Sequence, residues 1–69
     1  MRPTIVFRHI ETIPIVAGCP AVVFALNHPT RGAGAVWTGW VLNVLEDDNH
    51  NVVRFETDNA YYVLESGDA

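Results

Sequence analysis

The sequence contains no lysine, a single cysteine and a single serine. Because Cys19 has no second cysteine to pair with, an intramolecular disulfide is excluded, and the composition predicts a reducing, cytoplasmic environment. Ser66 lies in the polar C-terminal end, which is an unfavourable setting for a serine nucleophile. A domain this small must therefore gain its stability from packing or from association with another chain.

Long apolar runs are missing as well. The longest uncharged stretch, residues 12–30, is interrupted by three prolines and one glycine, so no segment is predicted to cross a membrane. The first apolar run, residues 5–7, stops at Arg8, which does not fit a signal peptide.

Positive charge is scarce and is not clustered. The four arginines are spread along a chain with a net charge of +2 in residues 1–45 and −6 in residues 46–69. Binding to phosphates requires a basic stripe that displaces counterions, so a nucleic-acid partner is not expected. The acidic half either keeps the protein soluble or meets a basic partner.

The length of 69 residues predicts one small β domain, residues 1–69, with a polar tail from about residue 66. Hydrophobic residues make up 49% of the sequence, which is more than so short a chain can bury. We therefore expect a protein partner, either another protein or a second copy in a homo-oligomer.

β-Branched and aromatic residues dominate the segments between clusters of turn formers, and no window has the period of an amphipathic helix. Five strands are predicted, at residues 4–10, 21–26, 36–46, 51–57 and 60–65. The second of these is short and uniformly apolar, so a short helix is an alternative there. Residues 11–20 and 27–34 are predicted to be loops.

The last two turns predict the register of the C-terminal strands. A two-residue loop at Asp58-Asn59, with φ above zero, places Phe55 opposite Tyr62. A four-residue loop at residues 47–50 places Leu42 opposite Phe55. Because side chains alternate between faces, both turns predict one core face, formed by Trp40, Leu42, Val44, Val53, Phe55, Tyr62 and Leu64.

The opposite face is more apolar than a solvated sheet face should be. Either the N-terminal strands cover Trp37 and Tyr61, or these aromatic side chains belong to an interaction surface, where such residues are enriched. The predicted interaction surface has an apolar centre and a charged rim, and consists of Trp37, Val41, Tyr61, Val63, Arg54 and Glu56.

Five short strands, tight turns and no helix predict an all-β fold, a five-stranded SH3-like small barrel or a strongly bent antiparallel sheet. The long third strand is predicted to bend at Gly39, because glycine within a strand often marks a bulge. In such a barrel the third strand contributes to both halves.

Two runs in the C-terminal half, Val36-Trp37-Thr38-Gly39-Trp40-Val41 and Phe55-Glu56-Thr57-Asp58-Asn59-Ala60-Tyr61-Tyr62, carry a resemblance. They resemble the C-terminal pattern of short uncharacterised all-β proteins encoded by phages and other mobile elements. Those proteins end in a hairpin of the form aromatic-x-Thr-x-Asn-x-x-Tyr. The resemblance implies a phage-encoded or mobile-element-encoded product, and it implies no activity.

Residues that commonly carry catalysis are few and dispersed. His9, His28 and His50 lie about twenty residues apart, without the spacing of a zinc site, and Cys19 has no basic neighbour in the sequence. No catalytic, metal or cofactor site is predicted. His28 and Arg31, beside a glycine-rich stretch, are candidate contacts for an anion or a nucleic acid.

These observations predict a non-enzymatic protein-interaction module that binds a protein partner or itself. An SH3-like module associated with nucleic acid is the first alternative. A small metal-binding or enzymatic protein is the second.

Overall fold

The computed structural model of the protein describes residues 2–10, 14–30 and 32–65. Its strands are β1 (Thr4–His9), β2 (Pro20–His28), β3 (Gly32–Glu46), β4 (Val52–Thr57) and β5 (Tyr61–Leu64). No helix occurs among these residues, so the prediction of an all-β fold is confirmed, and the ambiguous second segment is a strand. The predicted polar tail lies outside the described residues.

The five strands form a closed barrel in the order of the sequence, which is consistent with a small SH3-like barrel. Each strand is antiparallel to the next one along the chain. Because the number of strands is odd, β1 and β5 run in the same direction and close the barrel as a parallel pair. In this pair Ile5 lies beside Tyr62 and Phe7 lies beside Leu64.

Three aromatic rings form the centre of the core. The ring centroid of Phe7 lies 5.1 Å from that of Phe55, at an interplanar angle of 71°, and Phe55 stacks on Tyr62 at 4.5 Å. Such pairs stabilise a core by about 0.5–1.5 kcal/mol beyond the burial of their area. The buried apolar side chains are Ile5, Phe7, Ile15, Ala21, Val23, Ala25, Val36, Val41, Val52, Phe55, Ala60 and Tyr62.

The β2–β3 hairpin is longer than the sequence pattern predicts. β2 continues to His28 and β3 begins at Gly32, so most of the predicted loop at residues 27–34 belongs to strands. Gly32 has a φ of 69°, which glycine adopts without strain, and it lets the chain re-enter the ladder here. The side chain of Asn27 accepts a hydrogen bond of 2.7 Å from the N–H of Val6, which ties the hairpin to β1.

The turn between β3 and β4 is a three-residue loop, shorter than the predicted four. The N–H of Asp47 donates to the carbonyl of Asn51 at 2.9 Å, so these two residues close the loop of residues 48–50. His50 has a φ of 64°, the left-handed conformation that ends a loop of this length. The carboxylate of Asp47 accepts hydrogen bonds from the N–H groups of Asn49 and Asn51, at 2.9 and 3.0 Å.

The register between β3 and β4 differs from the predicted one because each strand contains a bulge. Val53 is an extra residue in β4, so that Val44, instead of Leu42, lies opposite Phe55. Leu42 is an extra residue in β3, and a bulge of this kind exchanges the two faces of a strand. Val41 is consequently buried and Leu42 is exposed.

A further irregularity in β3 lies at Gly39, where the sequence predicts a bend. Between the pairs Val22–Trp37 and Pro20–Trp40, β3 has one residue more than β2. Both tryptophans face outward as a result. A Cβ atom on Gly39 would lie 2.9 Å from Oδ1 of Asp58, so a larger residue here would require the exposed side chain of Asp58 to move.

The predicted core face is therefore correct only in part. Trp40 and Leu42 are 60% and 54% exposed, and the prediction that they belong to the core is wrong. The regular alternation of side chains does not hold through β3, because its bulges reverse it. The members of the predicted face that lie in the core or against it are Val44, Phe55, Tyr62 and Leu64, and Val53 is half-buried.

The β4–β5 turn is held by the buried side chain of Thr57. Its Oγ1 accepts hydrogen bonds from the N–H groups of Asn59 and Ala60, at 3.2 and 3.1 Å. The predicted positive φ values at Asp58-Asn59 do not occur. The hydroxyl of Thr57 accepts the hydrogen bonds of the turn, so the backbone does not need the tighter conformation that was predicted. The predicted register between β4 and β5 is confirmed.

Replacing Thr57 by valine tests this account of the turn. Thr57→Val preserves shape but leaves two backbone N–H groups without an acceptor, so we expect the free energy of unfolding to fall by about 1–3 kcal/mol in urea titrations. Thr4→Val, an exposed site on β1, serves as the control and should change it by less than about 0.5 kcal/mol. Equal effects of the two substitutions would contradict the role given to Thr57.

Candidate functional site

The outer surface of the barrel has an apolar side on β3 and the neighbouring β2. Trp37, Trp40, Leu42 and Leu45 are 76%, 60%, 54% and 55% exposed, and all of them lie on β3. Phe24, on β2, is 38% exposed and lies beside Ala35. We call the group of Phe24, Trp37, Trp40, Leu42 and Leu45 the β3 outer face.

The cross-strand neighbours of the two tryptophans leave their rings accessible. Trp37 pairs with Val22, and Trp40 pairs with Pro20. Both neighbours are smaller than an indole ring, so they support one side of each tryptophan and leave the other side in solvent. Large apolar side chains concentrated on one strand of a small monomer are typical of an interaction site.

The predicted interaction surface is divided between two sides of the barrel. Arg54 pairs with Val63 and Glu56 pairs with Tyr61, so these four residues lie together on the outer side of β4 and β5. Tyr61 is 39% exposed, whereas Glu56 and Val63 are half-buried. The structure therefore brings four of the six predicted residues together.

The other two members of that surface lie elsewhere. Trp37 lies on β3, which does not pair with β5, and it lines a cavity together with Asn59 and Ala60 at the end of the barrel. Val41 is only 1% exposed, so its prediction as the apolar centre of a surface is wrong. The bulge at Leu42 is the reason, because it places Val41 on the core side together with Thr57.

Arg2 binds several groups on the outer side of β4 and β5. One guanidinium nitrogen donates to Oε2 of Glu56 and to the carbonyl of Thr57, both at 2.8 Å. The other donates to the hydroxyl of Tyr61 at 2.6 Å, and the guanidinium carbon lies 4.3 Å from the centroid of that ring. Asn43 donates to the second carboxylate oxygen of Glu56 at 2.9 Å. The polar groups of Arg2, Glu56 and Tyr61 are thus paired within the chain.

Hydrogen bonds stabilise the charged form of three carboxylates. The amide of Asn43, followed by the guanidinium of Arg2, lowers the pKa of Glu56. The guanidinium of Arg8 lowers the pKa of Glu65, which it binds through both carboxylate oxygens. The pKa of Asp47 is lowered by the backbone N–H groups that it accepts in the β3–β4 loop.

Sequence reasoning did not single out Arg2, Leu45 or Phe24. Arg2 and Glu56 are 54 residues apart in the chain, and no local pattern links them. For Leu45 a signal was present, because the predicted register already placed it opposite the core face. Phe24 lies in a uniformly apolar strand, where alternation does not indicate which side chains face outward.

The two ends of the barrel contain cavities of about 430 and 240 Å³. The larger one is lined in part by His9, Glu46 and His50. Nε2 of His9 donates to the carbonyl of Val52 at 2.7 Å, and Nδ1 of His50 lies 3.5 Å from Oε1 of Glu46. Within residues 2–10, 14–30 and 32–65, no three His, Cys, Asp or Glu side chains are grouped so as to hold a metal ion.

The residues predicted to contact an anion are only partly described. His28 ends β2, and its Nδ1 accepts a hydrogen bond of 3.2 Å from the N–H of Thr30. Arg31 lies outside the described residues. Anion binding by this pair stays a prediction.

Comparison of the chain with protein-family models, with curated proteins and with solved structures gives no match. The resemblance to proteins of phages and mobile elements stays a prediction. In the part of the chain that the structure describes, no helix is long and apolar enough to span a membrane.

The lowered carboxylate pKa values predict how stability depends on pH. A carboxylate whose pKa is lower in the folded than in the unfolded chain stabilises the fold above the unfolded value, which is about 4.3 for Glu. That stability is lost as the pH falls through the lower folded pKa. We therefore expect the urea midpoint to be constant near neutral pH and to fall below about pH 4.5.

Glu56→Gln should lower the midpoint at pH 7 and make its decrease toward pH 3 shallower, because this carboxylate no longer titrates. Asp48→Asn is the control, since the carboxylate of Asp48 makes no hydrogen bond or ion pair and its loss should leave the profile unchanged. Identical profiles for the wild type and Glu56→Gln would show that the contacts of Glu56 do not stabilise the fold.

Proposed function

We propose that this chain is a non-enzymatic protein-interaction module that associates through the β3 outer face, with a second copy as its partner. The observation that carries the proposal is the exposure of four large apolar side chains on a single strand. Burial of such side chains is the main favourable contribution to protein association. Trp, in particular, is enriched among the residues that dominate binding energy.

The size of the β3 outer face supports a specific contact. The exposed parts of its five side chains amount to about 600 Å². A standard protein–protein interface covers roughly 800 Å² on each partner. Residues around the rim of this face, such as Val22 and Ala35, supply further area when a partner covers it.

The outer side of β4 and β5 is a weaker candidate for the same role. Its most exposed aromatic ring, that of Tyr61, is already in contact with Arg2. The carboxylate of Glu56 has both of its oxygens engaged. A partner at this side would have to replace contacts that the chain makes with itself.

The distribution of the arginines favours a protein partner over a nucleic acid. Arg2 and Arg8 are bound to Glu56 and Glu65, so their charges are already compensated. The chain as a whole carries a net charge of −4. Phosphate binding would require uncompensated positive charge along one side.

Serine substitutions on the β3 outer face test the proposal by analytical ultracentrifugation. We expect the wild type to associate at micromolar concentration, and Trp37→Ser combined with Trp40→Ser to weaken association at least tenfold. The thermal unfolding of the monomeric variant should resemble that of the wild type at low concentration, because both side chains are exposed.

Val16→Ser is the matched control, since Val16 is 49% exposed but lies outside the β3 outer face. It should leave association unchanged. Phe55→Leu should lower stability instead, because Phe55 belongs to the core. A wild-type protein that is monomeric at 100 µM, taken as about a hundred times the expected dissociation constant, would overturn the proposal.

A further inference from the structure

β3 is much longer than the strand that follows it, and this leaves part of its edge without a partner. β3 has 15 residues and β4 has 6, and the two pair only from Val41 onward. On the side away from β2, residues 32–37 have no strand partner among the described residues. We call residues 32–37 the free edge.

The free edge lacks the charged residues and the proline that commonly protect an exposed strand, and its one irregularity lies at its start, between Gly32 and Gly34. Unpaired N–H and C=O groups favour the addition of another strand, and proteins commonly prevent it with charged side chains or proline. The free edge reads Gly-Ala-Gly-Ala-Val-Trp, without a charge or a proline. It ends at Trp37, so it adjoins the β3 outer face.

We infer that a second copy of this chain pairs with the free edge, with the two β3 strands antiparallel across a two-fold axis. The inference rests on the proposed function and adds the geometry of the contact to it. A two-fold contact of this kind uses the same residues on both copies. It provides hydrogen-bond partners for both free edges at once and joins the two barrels through a continuous sheet.

The sizes of the side chains favour a two-fold axis at Ala35. In that register Trp37 lies opposite Ala33 of the other copy, and Val36 lies opposite Gly34. Each large side chain then faces a small one, which lets the strands approach to normal sheet spacing. An axis at Trp37 would place two indole rings directly opposite each other.

Charge limits where a second copy can bind. Two chains that each carry a net charge of −4 repel each other, so a stable contact between them must avoid the acidic residues. Neither the free edge nor the β3 outer face contains a charged side chain. Pairing of the edges brings the exposed Trp37 and Ala35 of both copies close to the two-fold axis, so the Trp37 part of the β3 outer face lies at this interface.

Opposite charges at Ala35 give a direct test. Ala35 is exposed in the single chain, so Ala35→Asp and Ala35→Lys should both fold, which circular dichroism and thermal unfolding will verify. Each variant alone places two like charges about 5 Å apart across the axis, and we expect its self-association to weaken at least tenfold. An equimolar mixture of the two should recover a dimer of one copy of each.

A cross-link tests the register. Ala35→Cys, in a chain that also carries Cys19→Ser, should form a disulfide-linked dimer on mild oxidation, because directly opposite Cα atoms lie within disulfide distance. Thr4→Cys in the same background is the control, and it should remain unlinked.

The outcomes separate the two proposals. A dimeric wild type whose association is unaffected by charges at Ala35, with no recovery on mixing, would overturn the pairing of free edges and leave the β3 outer face as the contact. A monomeric wild type would overturn both. Recovery in the mixture, together with the cross-link at residue 35, would establish the edge-paired dimer.

Discussion

Phe7 packs edge-on against Phe55, which stacks on Tyr62, and these three rings join the first strand to the last two inside the barrel. Outside the barrel, Arg8 binds Glu65 across the seam between β1 and β5, and Arg2 binds Tyr61 of β5 and Glu56 of β4 beside it. Apolar burial and ion pairs therefore act on one line of contact. Without it β1 would have a partner on one side only, and the meander would be an open sheet with two exposed edges. The bending of β3 and the contacts of Arg2 on β4 and β5 both depend on this closure.

Closure imposes a condition on β3, which has to curve from its pairing with β2 to its pairing with β4. The chain meets this condition with extra residues, one between Trp37 and Trp40 and another at Leu42. Each extra residue exchanges the inner and outer faces of the strand. As a result, Val41 enters the core while Trp40 and Leu42 face solvent. The exposure of Trp40 and Leu42 is thus a consequence of how the barrel bends.

The two sides of the barrel differ in how their surface groups are satisfied. On β4 and β5, Arg2, Glu56 and Tyr61 bind one another within the chain. On β3 the large side chains are exposed, and the backbone of residues 32–37 lacks a partner on one side. The exposed apolar side chains and the unpaired backbone groups occur on the same strand, because β3 is longer than its neighbours and its bulges turn Trp40 and Leu42 outward. A partner bound at this strand would bury apolar side chains and provide hydrogen-bond partners for the backbone.

Local features of the sequence determined the number of strands, the all-β class, the β4–β5 register and the burial of Phe55 and Tyr62, since turn chemistry and alternation act over a few residues. The β3–β4 register could not be obtained in this way. The loop between β3 and β4 is one residue shorter than predicted, because His50 adopts a left-handed conformation. Val53 and Leu42 form bulges, and neither is a residue type that marks a bulge in a sequence. Pairing of Arg2 with Glu56 required the closed barrel. The exposure of Trp40 and Leu42 and the burial of Val41 were likewise decided by tertiary structure, because they depend on the curvature of β3 and not on hydrophobicity.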